Sequence, residues 1–404
     1  MIENKDIIVM GIQPWDLPIG SNCKNIAETF SKHNRVLYVN APLDRASKHK
    51  EKDTEKIKKR LAVIRGTDEG LVQLNGNMWN LYPDVIVESI NSLPDGPLYD
   101  YLNKINNKRF ARSILNAAAK LGFSNYLLFN DQHMFLGYYM KELLNPAMYI
   151  YYMRDNLVRN PYWRKHGKRL EPKLIAKADL VVNNSLYYTA YGKKYNPHSY
   201  MVGQGCDVSL FYDPEDKIKM ADDLGKIPRP IIGYVGYLTH RRLDLALLEF
   251  LAKSKPDWQI VLVGPEDEAF QASTLHQKSN VHFLGPRKPE ELPAYVKGFD
   301  VCMNPQVVNE ATIGNYPRKI DEYLAMGKPT IGTRTEAMEY FADVCYLASS
   351  HEDYITLIEK ALKENTPELE QKRIETGLSH SWDNNVKEIY RYIRLVAEEK
   401  KIQL

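Results

Sequence analysis

The sequence predicts an α/β chain of two domains in tandem, each built on a mainly parallel sheet. Three observations carry this. Short apolar, β-rich runs alternate with helical stretches along the first half of the chain. A segment rich in Gly, Asp and Pro follows, "GQGCDVSLFYDPEDKIKMADDLGKIPRP" at 203–230, and the same alternation then restarts. At 404 residues the chain is too long for one ordinary domain and fits two, each able to bury its own core.

The first series of predicted strands is 7–12, 36–41, 126–130, 148–153, 180–185 and 200–203. Between the second and third lies "LAVIRGTDEGLVQLNGNMWNLYP", whose glycine breaks and β-formers predict a hairpin insertion. The second series is 231–236, 258–264, 281–285, 301–305, 329–333 and 344–348. Strands alternating with helices in this way predict two Rossmann-like domains, which bind ligands outside the carboxyl ends of their strands. The boundaries read as 1–205, 206–382 and a last helix over 383–404. In that helix Val386, Ile389, Tyr390, Ile393 and Val396 recur at helical spacing and need a surface to cover.

Composition narrows the function classes. The chain is 44% hydrophobic and 26% charged, and no apolar run approaches the roughly 18 residues of a spanning helix. The N-terminus lacks the basic, apolar and small-residue succession of a signal peptide. Cys23, Cys206, Cys302 and Cys345 match neither a zinc pattern nor a disulfide framework, so a cytoplasmic location is expected. A net charge of +3 makes no demand for nucleic acid. Two local clusters are basic: 45–60 with interspersed acids, and 160–169, where Tyr162 and Trp163 mix with the cations. They read either as solvated surface or as a contact with an anionic membrane at the inner face of the cell.

The stretch "TIGNYPRKIDEYLAMGKPTIGT" carries the sharpest chemical signal. Pro317 suits a first helical turn, and Lys319 and Glu322 then fall at i and i+3 on one face. Alone, such a pair is an ordinary surface salt bridge. Here the preceding loop with Gly314, Asn315 and Tyr316 can wrap a phosphate, the lysine can meet a diphosphate, and the glutamate can accept from a ribose diol. Gly236 closes a strand before Arg241 and Arg242, expected at a helix start, where guanidinium groups favour anions. Gly264, and Leu284 with Gly285, end further strands and leave backbone groups for a flat base, or are plain turns. In the first half, Gly20 and Ser21 precede a helix and either face a ligand or merely cap it. Asp131 and His133 follow one strand, and Arg154 and Asp155 the next. Each is a group able to orient or deprotonate a hydroxyl, or an ordinary satisfied polar residue.

Taken in order, "PWDLPIGSNCKNIAETF", "EPKLIAKADLVVNNS", "GQGCD", "IGYVGYL", "WQIVLVGP", "NVHFLGPRKPEEL", "PRKIDEYLAMGKPTIGT" and the late Ser381-Trp382 resemble the GT-B glycosyltransferases of family four. The branch they resemble includes teichuronic acid and exopolysaccharide transferases. The resemblance implies that Glu322 holds a ribose, Lys319 a diphosphate, and Arg241 the same anion. It also implies that the last helix crosses back to the first domain. One departure is visible. Where the family often has a glutamate for the donor sugar, this chain has Gly314, so either Glu310 nearby in the loop or the backbone amides of Gly314 and Asn315 take its place.

The expectation is a glycosyltransferase moving a sugar from a UDP- or GDP-linked donor to a hydroxyl of a lipid-linked or polysaccharide acceptor. Retention of configuration is implied by the resemblance. No metal is expected, since no Asp-x-Asp pair stands at a strand end and Lys319 and Arg241 can stabilise the leaving diphosphate. Two rivals stay open: a nucleotide-sugar epimerase on the same fold, and a non-catalytic nucleotide-sugar-binding subunit of a transferase.

Overall fold

A computed structural model describes residues 1–17, 21–50, 54–310 and 312–404. Gly20 and the middle of the basic segment 45–60 lie outside these residues. The chain divides into two compact units. The first comprises Met1–Asn184, Tyr188–Gly203 and Asn385–Leu404, and the second Ser185–Tyr187 and Gln204–Asn384.

In the first unit the strands are β1 (Asp6–Met10), β2 (Arg35–Val39), β3 (Leu43–Asp44), β4 (Leu71–Asn75), β5 (Met78–Leu81), β6 (Ile86–Val87), β7 (Leu127–Asp131), β8 (Met148–Met153), β9 (Leu180–Asn183) and β10 (Ser199–Met201). Eight of them form one sheet in the order β10-β9-β8-β7-β1-β2-β5-β4. Only β4 runs antiparallel, as the outer arm of the expected hairpin. Strands β1, β7, β8 and β9 are buried along their whole length. That is why they read as unbroken runs such as "MYIYYM" rather than as alternating ones. The two-residue strands β3 and β6 pair separately, and no periodicity announces elements so short.

The last helix, Trp382–Lys400, contributes its apolar stripe to the first unit, with Val386, Ile389, Tyr390, Ile393 and Val396 all buried. Tyr390 stacks on Phe30 with ring centroids 5.5 Å apart, and Asn34 Nδ2 donates to its hydroxyl at 2.8 Å.

The second unit is a six-stranded, fully parallel sheet of β11 (Ile231–Val235), β12 (Gln259–Val263), β13 (Val281–Gly285), β14 (Val301–Asn304), β15 (Thr330–Thr333) and β16 (Tyr346–Ala348). Its order is β13-β12-β11-β14-β15-β16. The sequence direction therefore reverses between β11 and β14, and a doubly wound sheet opens a ligand crevice at that switch point. Two apolar clusters cover its faces, one around Val235, Tyr323 and Phe341, the other around Leu248, Leu262 and Tyr354.

Because Tyr390 joins ring packing to a buried hydrogen bond, Tyr390→Ala should destabilise the first unit by about 3–5 kcal/mol. Urea unfolding checks this, and a loss under about 1 kcal/mol would mean that the helix is dispensable to that core.

Candidate functional site

At the switch point of the second unit, two strands end on bare backbone. Gly236 follows β11 with φ 142° and Gly264 follows β12 with φ 149°, a region that favours glycine. A Cβ on Gly264 would lie 1.9 Å from the Gly236 carbonyl oxygen, so these strand ends touch only because neither carries a side chain. A Cβ on Gly236 would stand 3.0 Å from Lys319 Nζ. Three residues expected at a ligand site are thus brought together.

Lys319 opens the helix Lys319–Ala325, which is seven residues long. The helix starts two residues later than Pro317 predicted, with Arg318 as its cap. Lys319 Nζ donates to the Tyr234 hydroxyl and lies 4.0 Å from the centroid of that ring. No carboxylate pairs with it among the described residues. One turn on, Glu322 is partly buried, and its carboxylate makes no hydrogen bond among the described residues. Burial raises its pKa to about 6 even though Arg318 and Lys319 pull it down. The pair is therefore no surface salt bridge. It is a cation and a free acceptor set at the carboxyl end of the sheet.

Around this pair the other expected residues scatter. Asp244 takes the cap of the helix Leu245–Ser254, accepting from Leu247 N, so Arg241 and Arg242 sit in the turn before that helix and not at its start. Arg241 is exposed, and its guanidinium has no carboxylate partner among the described residues. Val307 N donates to the Arg242 carbonyl at 2.9 Å, tying this turn to the loop after β14. Gly285 ends β13 with φ 71°, one strand further from β11 than Gly264, and Leu284 packs against the core. Gly314 is buried in a turn, Asn315 N donates to the Thr312 carbonyl at 3.0 Å, and Glu310 is exposed. Tyr316 is turned inward. Its ring lies 5.2 Å from that of Phe341 and its hydroxyl donates to Asp321 Oδ1 at 3.1 Å, so only its backbone remains for a ligand.

Sequence reasoning missed the network that holds this helix. Asp321 is fully buried, and its Oδ1 also meets His380 Nδ1 at 2.7 Å. A separation of 59 residues offers no sequence signal for such a pair.

In the first unit, Asp131, Arg154 and Asp155 do meet, at the ends of β7 and β8, while the His133 ring faces Trp163. Arg154 Nε donates to Asp131 Oδ1 at 2.9 Å, and its Nη1 donates to Asp155 Oδ2 at 2.6 Å. Asp131 is fully buried and clamped by this guanidinium, which makes it an anchor rather than a free base. His133 is buried, and that burial lowers its pKa to about 4, leaving the imidazole neutral near pH 7. Ser21 is a helix cap, accepting from Lys24 N at 3.2 Å. Many cations of the basic clusters are engaged internally: Arg60 with Asp16, Arg45 with Glu88, and Arg169 with Asp95 and Asp100.

Residues 229–364 match the family described as glycosyl transferases group 1, across the Gly236, Gly264, Lys319 and Glu322 site. A relative in Bacillus subtilis (strain 168), TuaH, assigned to teichuronic acid biosynthesis as a glycosyltransferase, is 28% identical over 255 residues. That match covers 59% of this chain and 62% of the relative, so it spans less than two thirds of the relative's length. Among solved structures, sucrose-phosphate synthase from Thermosynechococcus elongatus aligns with a TM-score of 0.63 at 15% identity, over 98% of this chain and 100% of that one. Anabaena Alr3699/HepE in complex with UDP aligns with a TM-score of 0.65 at 15% identity, over 96% and 99%. These likenesses show the GT-B fold of two Rossmann-like domains, which is the fold the sequence predicts. The matched residues 229–364 lie within the second of the two units.

The raised pKa of Glu322 has a stability consequence. A carboxyl whose folded pKa exceeds its unfolded value favours folding only while protonated, so stability falls as pH rises from about 4.5 to about 6. The penalty at neutral pH is on the order of 2 kcal/mol. Glu322→Gln should therefore leave the ligand-free protein as stable as the parent or more so at pH 7.5, with the difference vanishing near pH 4.5. Thermal melts across that range check it.

Proposed function

We propose that the protein is a glycosyltransferase that moves a sugar from a nucleoside diphosphate sugar to a hydroxyl of a lipid-linked or polysaccharide acceptor. The observation behind this is the Lys319–Glu322 pair, an unpaired ammonium against bare Gly236 backbone with an unpartnered carboxylate one turn on. A diphosphate joined to a ribose has the complementary groups: negative oxygens for Lys319 and Arg241, and a donor diol for Glu322. Structures of Alr3699/HepE in complex with UDP and with UDP-glucose favour a UDP-linked donor.

In the reaction, the bond from the anomeric carbon to the diphosphate breaks and a bond to the acceptor oxygen forms. The hydroxyl proton passes to the leaving phosphate. Asp131, clamped by Arg154, is poorly suited to take it. This fits a retained configuration, with charge on the leaving group stabilised by Lys319 and Arg241 and no metal required.

Lys319→Ala and Glu322→Ala should each weaken UDP binding by about tenfold to more than a hundredfold, on the order of 1.5–3 kcal/mol, without lowering the ligand-free melting temperature. Calorimetry with UDP and GDP sugars measures this, and unchanged affinity in both variants would sink the reading. Slow donor hydrolysis without acceptor is the expected activity, and proton NMR of a transfer product reads its anomer. Release of an epimerised nucleotide sugar, or binding without any turnover, would replace transfer by one of the two rival activities.

Peripheral attachment to an anionic inner leaflet belongs to the same reading. No helix among the described residues is long and apolar enough to cross a membrane. Attachment would rest on exposed cations of the first unit such as Lys58, Lys59 and Lys168. Replacing these three by Gln should reduce sedimentation with anionic liposomes at low salt, and equal partitioning to neutral liposomes would remove the idea.

A further inference from the structure

Lys319 and Glu322 stand at i and i+3 on one helix, a spacing at which opposite charges ordinarily close on each other. Elsewhere in this chain they do: Lys58 meets Glu55 at 2.7 Å, and Arg391 meets Glu388 at 2.8 Å. Lys319 and Glu322 form no ion pair, although the lysine is near enough to pull the Glu322 pKa down against burial. A third group therefore holds them apart.

That group is Tyr234. Its hydroxyl accepts from Lys319 Nζ, and its ring centroid lies 4.0 Å from the same atom. The tyrosine cannot follow a moving lysine. Its ring is buried in the apolar cluster with Leu248, Leu262 and Tyr354, and its strand, β11, is flanked by β12 and β14. Gly236 leaves the room: a Cβ there would stand 3.0 Å from both Lys319 Nζ and the Tyr234 hydroxyl oxygen. A ring face and a hydroxyl oxygen hold a cation without cancelling its charge. A partly desolvated cation–π contact with a hydrogen bond outweighs a helical ion pair, all the more because Lys319 precedes Glu322, the weaker order on a helix. In the two pairs that do close, the acid comes first.

We propose that Tyr234 is a positioning residue: by holding the Lys319 ammonium on its ring and hydroxyl, it keeps the lysine from closing on Glu322 and leaves a cation for the diphosphate and a carboxylate for the ribose diol. The proposal rests on the transferase reading and adds a residue to it. Without Tyr234, an arriving diphosphate would first have to break a Lys319–Glu322 pair, and its affinity would fall by the worth of that pair. The other charged or titratable groups acting on or felt by Glu322 are Arg318 and Asp321 on its own helix, with Tyr323 and Cys206. Asp321 is engaged by Tyr316 and His380, so Lys319 and Arg318 are the cations that Glu322 can draw on.

Inorganic pyrophosphate is the probe, since it offers a diphosphate without a ribose. It is titrated by calorimetry at pH 7.5, where Glu322 is charged, into the full chain and into Tyr234→Leu, each with and without Glu322→Gln. Tyr234→Leu should weaken binding about fivefold or more while Glu322 is present, and by no more than about twofold once Glu322→Gln has removed the competing charge. Tyr234→Phe keeps the ring and should show a smaller loss that again disappears with Glu322→Gln, so a Tyr234→Leu protein that fails to fold leaves the test standing. A tyrosine that merely supports the strand end would cost the same in both backgrounds. An equal loss in both, no loss in either, or pyrophosphate that fails to bind the parent each overturns the proposal. UDP affinity of the parent then separates the two readings. If UDP binds, the role of Tyr234 alone fails. If UDP does not bind, the transferase reading fails with it.

Discussion

Everything in the candidate site of the second unit depends on a contact between two residues that have no side chains. Gly264 approaches the Gly236 carbonyl so closely that a Cβ there would lie 1.9 Å from the oxygen. Any larger residue at either position would part the ends of β11 and β12 or displace Lys319. The bare Gly236 backbone lets the Lys319 ammonium sit against it and over the Tyr234 ring. A ring face costs the cation less desolvation than a purely apolar wall would, while leaving its charge unneutralised for an anion.

A seven-residue helix cannot hold Lys319 and Glu322 in place by its own hydrogen bonds, because so short a helix is unstable alone. Its rigidity comes from behind. Asp321 turns the opposite way from Glu322, into a buried set with Tyr316 and His380. The helix Pro367–Ser379 packs so tightly on it that a Cβ on Gly377 would lie 2.6 Å from Ala325 N. Burial raises the pKa of both neighbouring carboxylates, yet they differ in partners: Asp321 Oδ1 is held by Tyr316 and His380, and Glu322 is left open. That asymmetry is what a binding carboxylate requires, since an acceptor already satisfied by protein donors has little to offer a diol.

The glutamate and the lysine were legible in the sequence because helical geometry alone places i and i+3 together, and the glycines because they close apolar strands. What stayed hidden depends on partners distant in sequence. Asp131 reads as a candidate base until Arg154, on the next strand, is seen to occupy both its oxygens. Tyr316 stands in the phosphate-facing loop by sequence, yet burial of its ring is decided by Phe341 and His380. Arg241 was expected at a helix start and lies before it, because Asp244 is the better cap. The buried parallel strands were legible from hydrophobic runs, but β3 and β6, at two residues each, were not.

The two units also differ in where they leave charge unanswered. In the first, Arg60, Arg154 and Arg169 are engaged by carboxylates. In the second, Lys319 and Arg241 stand near bare strand ends without carboxylate partners among the described residues. An unpaired cation that is partly buried weakens the fold that holds it, so its retention is better explained by a ligand than by stability. A nucleoside diphosphate sugar is strongly anionic at one end and neutral at the other. Under the proposed function, Lys319 and Arg241 would receive its phosphates at these strand ends.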